Sequence, residues 1–193
     1  MKIHRTSNAC RGGFSLVELV IAMTILTVLA GVVSMRAGGM TNRARAAKIT
    51  TLIESLRTPV MTYHLDTNQL PLEYSGYTGA TYHRLSADPG IAGWDGPYIE
   101  TPINRSWHPA GATVHMYAAA QHAVSNDYDV DGDGTADVTQ ANACSMSFWQ
   151  IDEDLAQLVN DAVDEGLPGD WMDTGRVEYT PASSVMSVMI YSR

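Results

Sequence analysis

The feature that most constrains this chain is an apolar run over residues 14–35, interrupted by one acid, Glu18, and preceded by a short leader carrying Lys2, Arg5 and Arg11. Residues 19–35 hold no charge at all. At 1.5 Å per helical residue such a run crosses a hydrocarbon core of ~30 Å, so the sequence predicts a membrane-spanning helix at the start of the chain. A cleaved secretory signal has its apolar region before the cut. Here the candidate cut, at Gly12-Gly13, comes before the run, and no apolar stretch precedes Cys10 as a lipoprotein signal requires. The basic leader places the N-terminus in the cytoplasm and the rest of the chain outside.

Glu18 is the anomaly in this run. A carboxylate inside a spanning helix costs about 2.5 to 3.5 kcal/mol on insertion scales and faces a protein partner or a polar cavity. It needs a cation. If the chain is cut after Gly13, the new amine of Phe14 lies one helical turn from Glu18, and a neighbouring subunit can offer its own amine to this carboxylate.

The residues Gly13-Phe14-Ser15-Leu16-Val17-Glu18-Leu19 resemble the prepilin processing signature of type IV pilins and type II secretion pseudopilins. The resemblance implies cleavage after Gly13 by a prepilin peptidase on the cytoplasmic side, methylation of Phe14, and a role for Phe14 and Glu18 in assembly. It also implies self-assembly into a helical filament, together with other pseudopilins and an inner-membrane assembly platform.

Charge divides the chain in two. Residues 1–57 carry eight basic and two acidic side chains, while residues 58–193 carry four basic and nineteen acidic ones. The larger part repels phosphate, which argues against a nucleic-acid partner. The two cysteines, Cys10 and Cys144, do not make a disulfide framework, because Cys10 lies in the leader. The histidines have no i,i+4 or His-x-His pairing for zinc. There is no Gly-x-Ser-x-Gly and no glycine-rich phosphate loop after a strand, so an enzyme is not expected.

Downstream of the Gly38-Gly39 pair, Ile49, Leu52, Ile53, Leu56 and Val60 recur at helical spacing. They predict that one helix over residues 14–65 is membrane-embedded in its first part, residues 14–35, and amphipathic in its second. Arg43, Arg45 and Lys48 read as a solvated face or an outer-leaflet anchor. Pro59 predicts a kink or an early end. Strands are predicted over residues 112–119, 145–150, 175–179 and 184–192. A second helix is predicted over residues 152–165, with Leu155, Leu158, Val159, Ala162 and Val163 on one side. Trp94 and Trp107 read as side chains that pin loops to the core. The helix-to-loop junction at Tyr63-His64-Leu65-Asp66 and the loop around Gly93-Trp94-Asp95-Gly96 resemble those of major pseudopilins, although the Pro-Trp-Gly pattern usual there is replaced by Ser106-Trp107-His108-Pro109. The expected fold is α+β, pilin-like: a long N-terminal helix packed on a small antiparallel sheet. Residues 1–13 form the leader and residues 66–193 the extracytoplasmic domain.

Residues 127–140 form an acidic loop with oxygen donors at alternate positions and glycine between them. Calcium takes six to eight oxygens, and its twelve-residue loops use positions 1, 3, 5, 7 and 9 with glycine at 6. Counted from Asp129, these are Asp129, Asp131, Asp133, the carbonyl of Thr135 and Asp137, with Gly134 at the turn. Position 12 is Gln140, which lacks the usual bidentate carboxylate, so Asp127 or a distant acid completes the shell. A solvated acidic turn is the alternative. The resemblance adds that major pseudopilins bind calcium in a loop near this point.

The expected function is therefore a structural subunit of a type II secretion pseudopilus, stabilised by calcium, in the inner membrane with its C-terminal domain in the periplasm. A type IV pilin of a surface filament is the alternative, disfavoured by the single cysteine of the mature chain. A monomeric membrane-anchored calcium-binding domain is a third reading, and it leaves Glu18 without a role.

Overall fold

The structure is a computed structural model that describes residues 15–118 and 127–193, with the side chains of residues 33–38 outside the description. The chain divides into two units, Met1–Met40 and Thr41–Arg193. The first helix, α1 (Leu16–Thr67), contributes to both and is 52 residues long. It passes through Pro59 without ending there, so of the kink or early end expected at that proline, the early end does not occur. Proline removes one backbone donor, and this loss is tolerated because Leu56, Val60 and Tyr63 on either side are buried in the core.

In the first unit α1 exposes its apolar side chains: Leu16, Leu19, Ile21, Ile25, Leu26 and Leu29 are each more than half exposed. Thr24 and Thr27 return their hydroxyls to the helix backbone at Val20 and Met23, 2.8 and 2.9 Å away. Among the described residues no helix is long and apolar enough to cross a membrane.

The second unit is built on a five-stranded antiparallel sheet. Its strands are β1 (Glu73–Tyr74), β2 (Val114–Ala118), β3 (Ala143–Trp149), β4 (Val177–Thr180) and β5 (Val185–Ser192), in spatial order β1-β2-β3-β5-β4. Each pairing is antiparallel. Alternate side chains point to one face of a strand, so Val114, Met116, Cys144, Met146, Phe148, Met186 and Val188 all enter the core shared with Ile49, Ile53, Leu56, Val60 and Tyr63 of α1. The fold is α+β and pilin-like.

Four of the five strands follow the sequence expectation to within two residues at each end; the predicted Ala119 lies outside the described residues. The exception is β1, a two-residue edge strand anchored by the buried Glu73. Its Oε1 accepts N–H bonds from Leu85 and Ser86 at 2.7 and 3.0 Å, and its Oε2 lies 2.9 Å from His83 Nδ1. This carboxylate ties the long loop between β1 and β2 to the sheet. The loop is further pinned by Trp94, whose indole N–H donates to the Arg84 carbonyl at 2.8 Å, and by the half-buried Trp107.

The second helix, α2 (Glu153–Val163), is capped by Asp152, which accepts the Leu155 N–H at 2.9 Å. Glu153 and Asp154 in the first turn suit the positive end of its dipole. The buried side is Leu155, Ala156, Val159 and Asn160. Ala162, expected on that side, is exposed. The 3.6-residue repeat places 155, 156, 159 and 160 on one stripe, and 162 lies outside it.

Candidate functional sites

Two places carry the residues singled out in the sequence. At the N-terminus, Gly13 and Phe14 lie outside the described residues, and the description begins with Ser15. The Ser15 backbone N–H donates to Glu18 Oε2 at 2.9 Å, and the Glu18 N–H donates to Ser15 Oγ at 3.2 Å. This reciprocal pair is a capping box, in which two orphan donors of the helix start are satisfied at once. Ser15 had no role in the sequence reading, although the Ser-x-x-Glu spacing before an apolar run is its signature. Glu18 therefore has a local partner within its own chain. One carboxylate oxygen, Oε1, takes part in neither bond.

The acidic loop is held on a firm base. The buried Tyr128 exchanges N–H···O bonds with Val138 at 2.8 and 3.1 Å, and its ring packs with Ala143 and Met189. Asp129 pairs with Thr174 in an isolated bridge, and its carbonyl accepts the Gly175 N–H at 2.7 Å. The segment beneath is fixed by the buried Asp164, whose Oδ2 accepts the N–H groups of Arg176 and Val177, both at 2.8 Å. Burial raises the Asp164 pKa, against the lowering effect of those bonds and of the Arg176 guanidinium.

On this base the carboxylates fold inward. Asp129 Oδ1 and Oδ2 accept N–H bonds from Gly132 and Gly134 at 2.8 and 2.9 Å, and Asp137 Oδ2 accepts from Val130 and Asp131 at 2.8 and 3.3 Å. Gly132 has φ 77°, and a Cβ there would lie 2.5 Å from the Pro168 carbonyl oxygen, so only glycine lets the turn sit against this segment.

As a result Asp129, Asp131 and Asp137 each bring a carboxylate oxygen within 4.8 Å of the other two. Asp133 does not join them; its Oδ1 accepts the Thr135 N–H at 2.8 Å. Asp127 lies apart as well, accepting the Gln140 N–H at 2.8 Å. Among the described residues no basic side chain pairs with any of these five carboxylates. Like charges at this spacing repel by about 1 kcal/mol per pair even in water-like surroundings. The three-carboxylate cluster is thus able to hold a metal ion. The donor set is all oxygen, which fits a hard cation and not zinc or copper.

Comparison with known proteins bears on the N-terminal site. The family model described as "Prokaryotic N-terminal methylation motif" matches residues 8–34, which takes in Gly13, Phe14, the capping box and most of the apolar run. The "Type II secretion system core protein G" of Xanthomonas campestris pv. campestris is 27% identical over 131 residues, which cover 67% of this chain and 76% of that protein. With the α+β fold already described, these findings agree.

The motif and this likeness support a place for the chain among type IV pilin-like proteins and pseudopilins.

That family consists of structural subunits, not enzymes. No solved structure matches this pilin-like chain. Its described cysteine, Cys144, is free and fully buried, and burial raises its thiol pKa far above the usual range. A thiol in that state is inert.

Proposed function

We propose that this chain is a structural subunit of a type II secretion pseudopilus, cut between Gly13 and Phe14, methylated at the new terminus and assembled through its N-terminal helices. The observation that carries this reading is the methylation motif over residues 8–34, whose part from Leu16 onward lies on a helix with its large apolar side chains exposed. So much apolar surface on a helix calls for lipid or other helices to cover it. The run over residues 14–35 serves as the membrane anchor before assembly and as the filament core after it. The likeness to a type II secretion core protein G favours the secretion system over a surface pilus.

In the same proposal calcium binds the loop through Asp129, Asp131 and Asp137, with Asp133, Asp127 and the Thr135 carbonyl as further donors. The ion neutralises the mutual repulsion of the cluster and locks the loop onto residues 168–175. The chain inserts from the inner membrane with its C-terminal domain in the periplasm, and its partners are other pseudopilins, the prepilin peptidase and an inner-membrane assembly platform.

Overexpression with the secretion apparatus, followed by shearing and electron microscopy of the cell surface, tests the assembly claim. Helical fibres containing this chain are expected. A chain that stays monomeric in the membrane under those conditions contradicts it.

A further inference from the structure

Residues 75–82 leave the sheet after β1 and return to it at His83, which faces Glu73 in an isolated antiparallel bridge. The excursion carries no Asp, Glu, Lys or Arg. It presents Tyr77 and Tyr82, which are 50% and 39% exposed and have ring centroids 4.9 Å apart. Two buried histidines hold it, and the bonds they make require opposite protonation.

His83 holds the far side. Its Nδ1 lies 2.9 Å from Glu73 Oε2 and its Nε2 lies 2.9 Å from the Tyr77 carbonyl oxygen. A carbonyl oxygen only accepts. Glu73 is an acceptor as well, since its other oxygen takes the Leu85 and Ser86 N–H groups and the Ser86 hydroxyl, the last at 3.2 Å. Neutral imidazole carries one N–H and imidazolium two, so only the charged ring satisfies both acceptors. A neutral ring keeps its proton towards the carboxylate and turns a lone pair on the Tyr77 carbonyl, and an unsatisfied buried acceptor is costly.

His115 holds the near side. Its Nδ1 accepts the Ser75 N–H at 3.0 Å, a donor shared with the Val114 carbonyl at 3.1 Å, and Ser75 Oγ accepts the Val114 N–H at 3.1 Å. Nδ1 accepts only while it bears no proton. Burial favours that neutral ring by lowering the His115 pKa, against a smaller raising effect of the Val114 backbone. Among the described residues Glu73 is the one charged side chain within ion-pair distance of His83, and none lies so close to His115. The rings of Tyr74, Tyr77, Tyr117 and Trp149 surround His115 at centroid distances of 4.8, 5.7, 5.7 and 5.1 Å, and Tyr82 packs on Tyr74 and Tyr77. Arg84, next to His83 in the chain, directs its charge at the Tyr63 and Tyr74 phenols.

We propose that residues 75–83 form a proton-operated latch for the two exposed tyrosines, closed while His83 is an imidazolium and His115 is neutral. Loss of a proton from His83 frees the Tyr77 carbonyl and leaves the Glu73 contact in place. Gain of a proton at His115 Nδ1 sets a donor against the Ser75 N–H. The tyrosine surface is therefore fixed over a bounded pH range and loosened on either side of it, a duty suited to the side chain that changes charge nearest neutral pH. The latch belongs to the folded domain and does not depend on filament assembly.

Histidine-selective nitrogen-15 NMR of the full chain in detergent, combined with amide hydrogen exchange over residues 75–86, tests it. At pH 7 His83 should show two protonated ring nitrogens, and His115 one, at Nε2. When pH is raised until the His83 signals shift, protection factors over residues 76–83 should fall roughly ten- to a hundredfold, the effect of one lost hydrogen bond to a charged group. Leu85 and Ser86, held by Glu73, should keep theirs. When pH is lowered until the His115 signals shift, the Ser75 amide should lose protection. His83→Gln should abolish the alkaline step and His115→Gln the acid one. A His83 ring with a single proton at pH 7, a protonated His115 Nδ1 at that pH, or protection that stays constant while either ring changes charge overturns the latch. The wild-type measurements decide this by themselves, even where a variant fails to fold.

Discussion

Glu18 and Ser15 hold each other at the start of α1: the Ser15 N–H reaches the Glu18 carboxylate at 2.9 Å, and the Glu18 N–H reaches the Ser15 hydroxyl at 3.2 Å. Glu18 thus has two candidate duties, capping its own helix and receiving the Phe14 amine of a neighbour. The two are separable, because glutamine serves in a capping box as glutamate does but carries no charge. Glu18→Gln and Glu18→Ala should both insert into the membrane as well as wild type or better. Both should lose fibre assembly. Normal fibres from Glu18→Gln, scored by shearing and microscopy, would reduce Glu18 to a cap.

Calcium should stabilise the folded chain. A ligand bound only by the native state adds RT ln(1 + [L]/Kd), about 2.7 kcal/mol at a hundredfold excess over Kd, or roughly 5 to 10 °C in melting midpoint for a domain of this size. The structure separates the carboxylates. Asp131→Ala, which gives up one exposed bond from the Asp133 N–H at 3.1 Å, should remove the calcium response while lowering the midpoint in chelator less than Asp129→Ala does. Asp129→Ala should lower the midpoint in chelator too, because its oxygens hold the Gly132 and Gly134 amides. Thermal melting of the detergent-solubilised full chain in calcium, magnesium and chelator measures this. Magnesium should do little, since it demands a tighter octahedral shell. An unchanged wild-type midpoint in chelator identifies the loop as a plain acidic turn.

The loop also shows how far sequence alone reaches. Alternating Asp and Gly at 129–137 announced a hard-cation pattern, but which carboxylates meet depends on the turn at Gly132 and on docking against Pro168 and Thr174, more than thirty residues later. The helices α1 and α2 are legible because their buried residues recur at helical spacing, and β2, β3 and β5 because they are short, largely apolar runs that end up buried on both faces. Glu73 was not. A two-residue strand has no period, and a fully buried carboxylate runs against every hydropathy expectation until Leu85, Ser86 and His83 are seen around it. The Ser15-Glu18 cap is written in the sequence as Ser-x-x-Glu, a spacing that also fits a lone carboxylate awaiting a cation from a neighbouring chain.

Removing the Glu73 carboxylate should be costly. Glu73→Ala leaves His83 and the Leu85 and Ser86 amides buried without their acceptor, a loss of about 3 to 5 kcal/mol by analogy with broken buried pairs. Denaturant unfolding of the variant should show it as a lowered midpoint. A change under about 0.5 kcal/mol, the size typical of surface substitutions, contradicts the clamp.

Two buried histidines should make the fold sensitive to mild acid. Burial lowers the pKa of both His108 and His115 from 6.5. His115 Nδ1 accepts the Ser75 N–H and His108 Nδ1 the Ala110 N–H, both at 3.0 Å. Between the lowered values and 6.5 the unfolded chain binds more protons than the folded one, so their contribution to stability is complete above about pH 6.5 and declines as pH falls through that window. Urea midpoints measured in chelator from pH 8 to pH 5 should fall below 6.5, and His115→Gln with His108→Gln should flatten the profile. A flat wild-type profile across that range contradicts the assignment.

The central claim, a pilin-like subunit made by prepilin processing, is tested most directly at the N-terminus. Intact-mass and peptide analysis of the protein extracted from membranes of a host with an active prepilin peptidase should give a chain that begins at Phe14 and carries one added methyl group there. A chain that still begins at Met1 in that host contradicts the account.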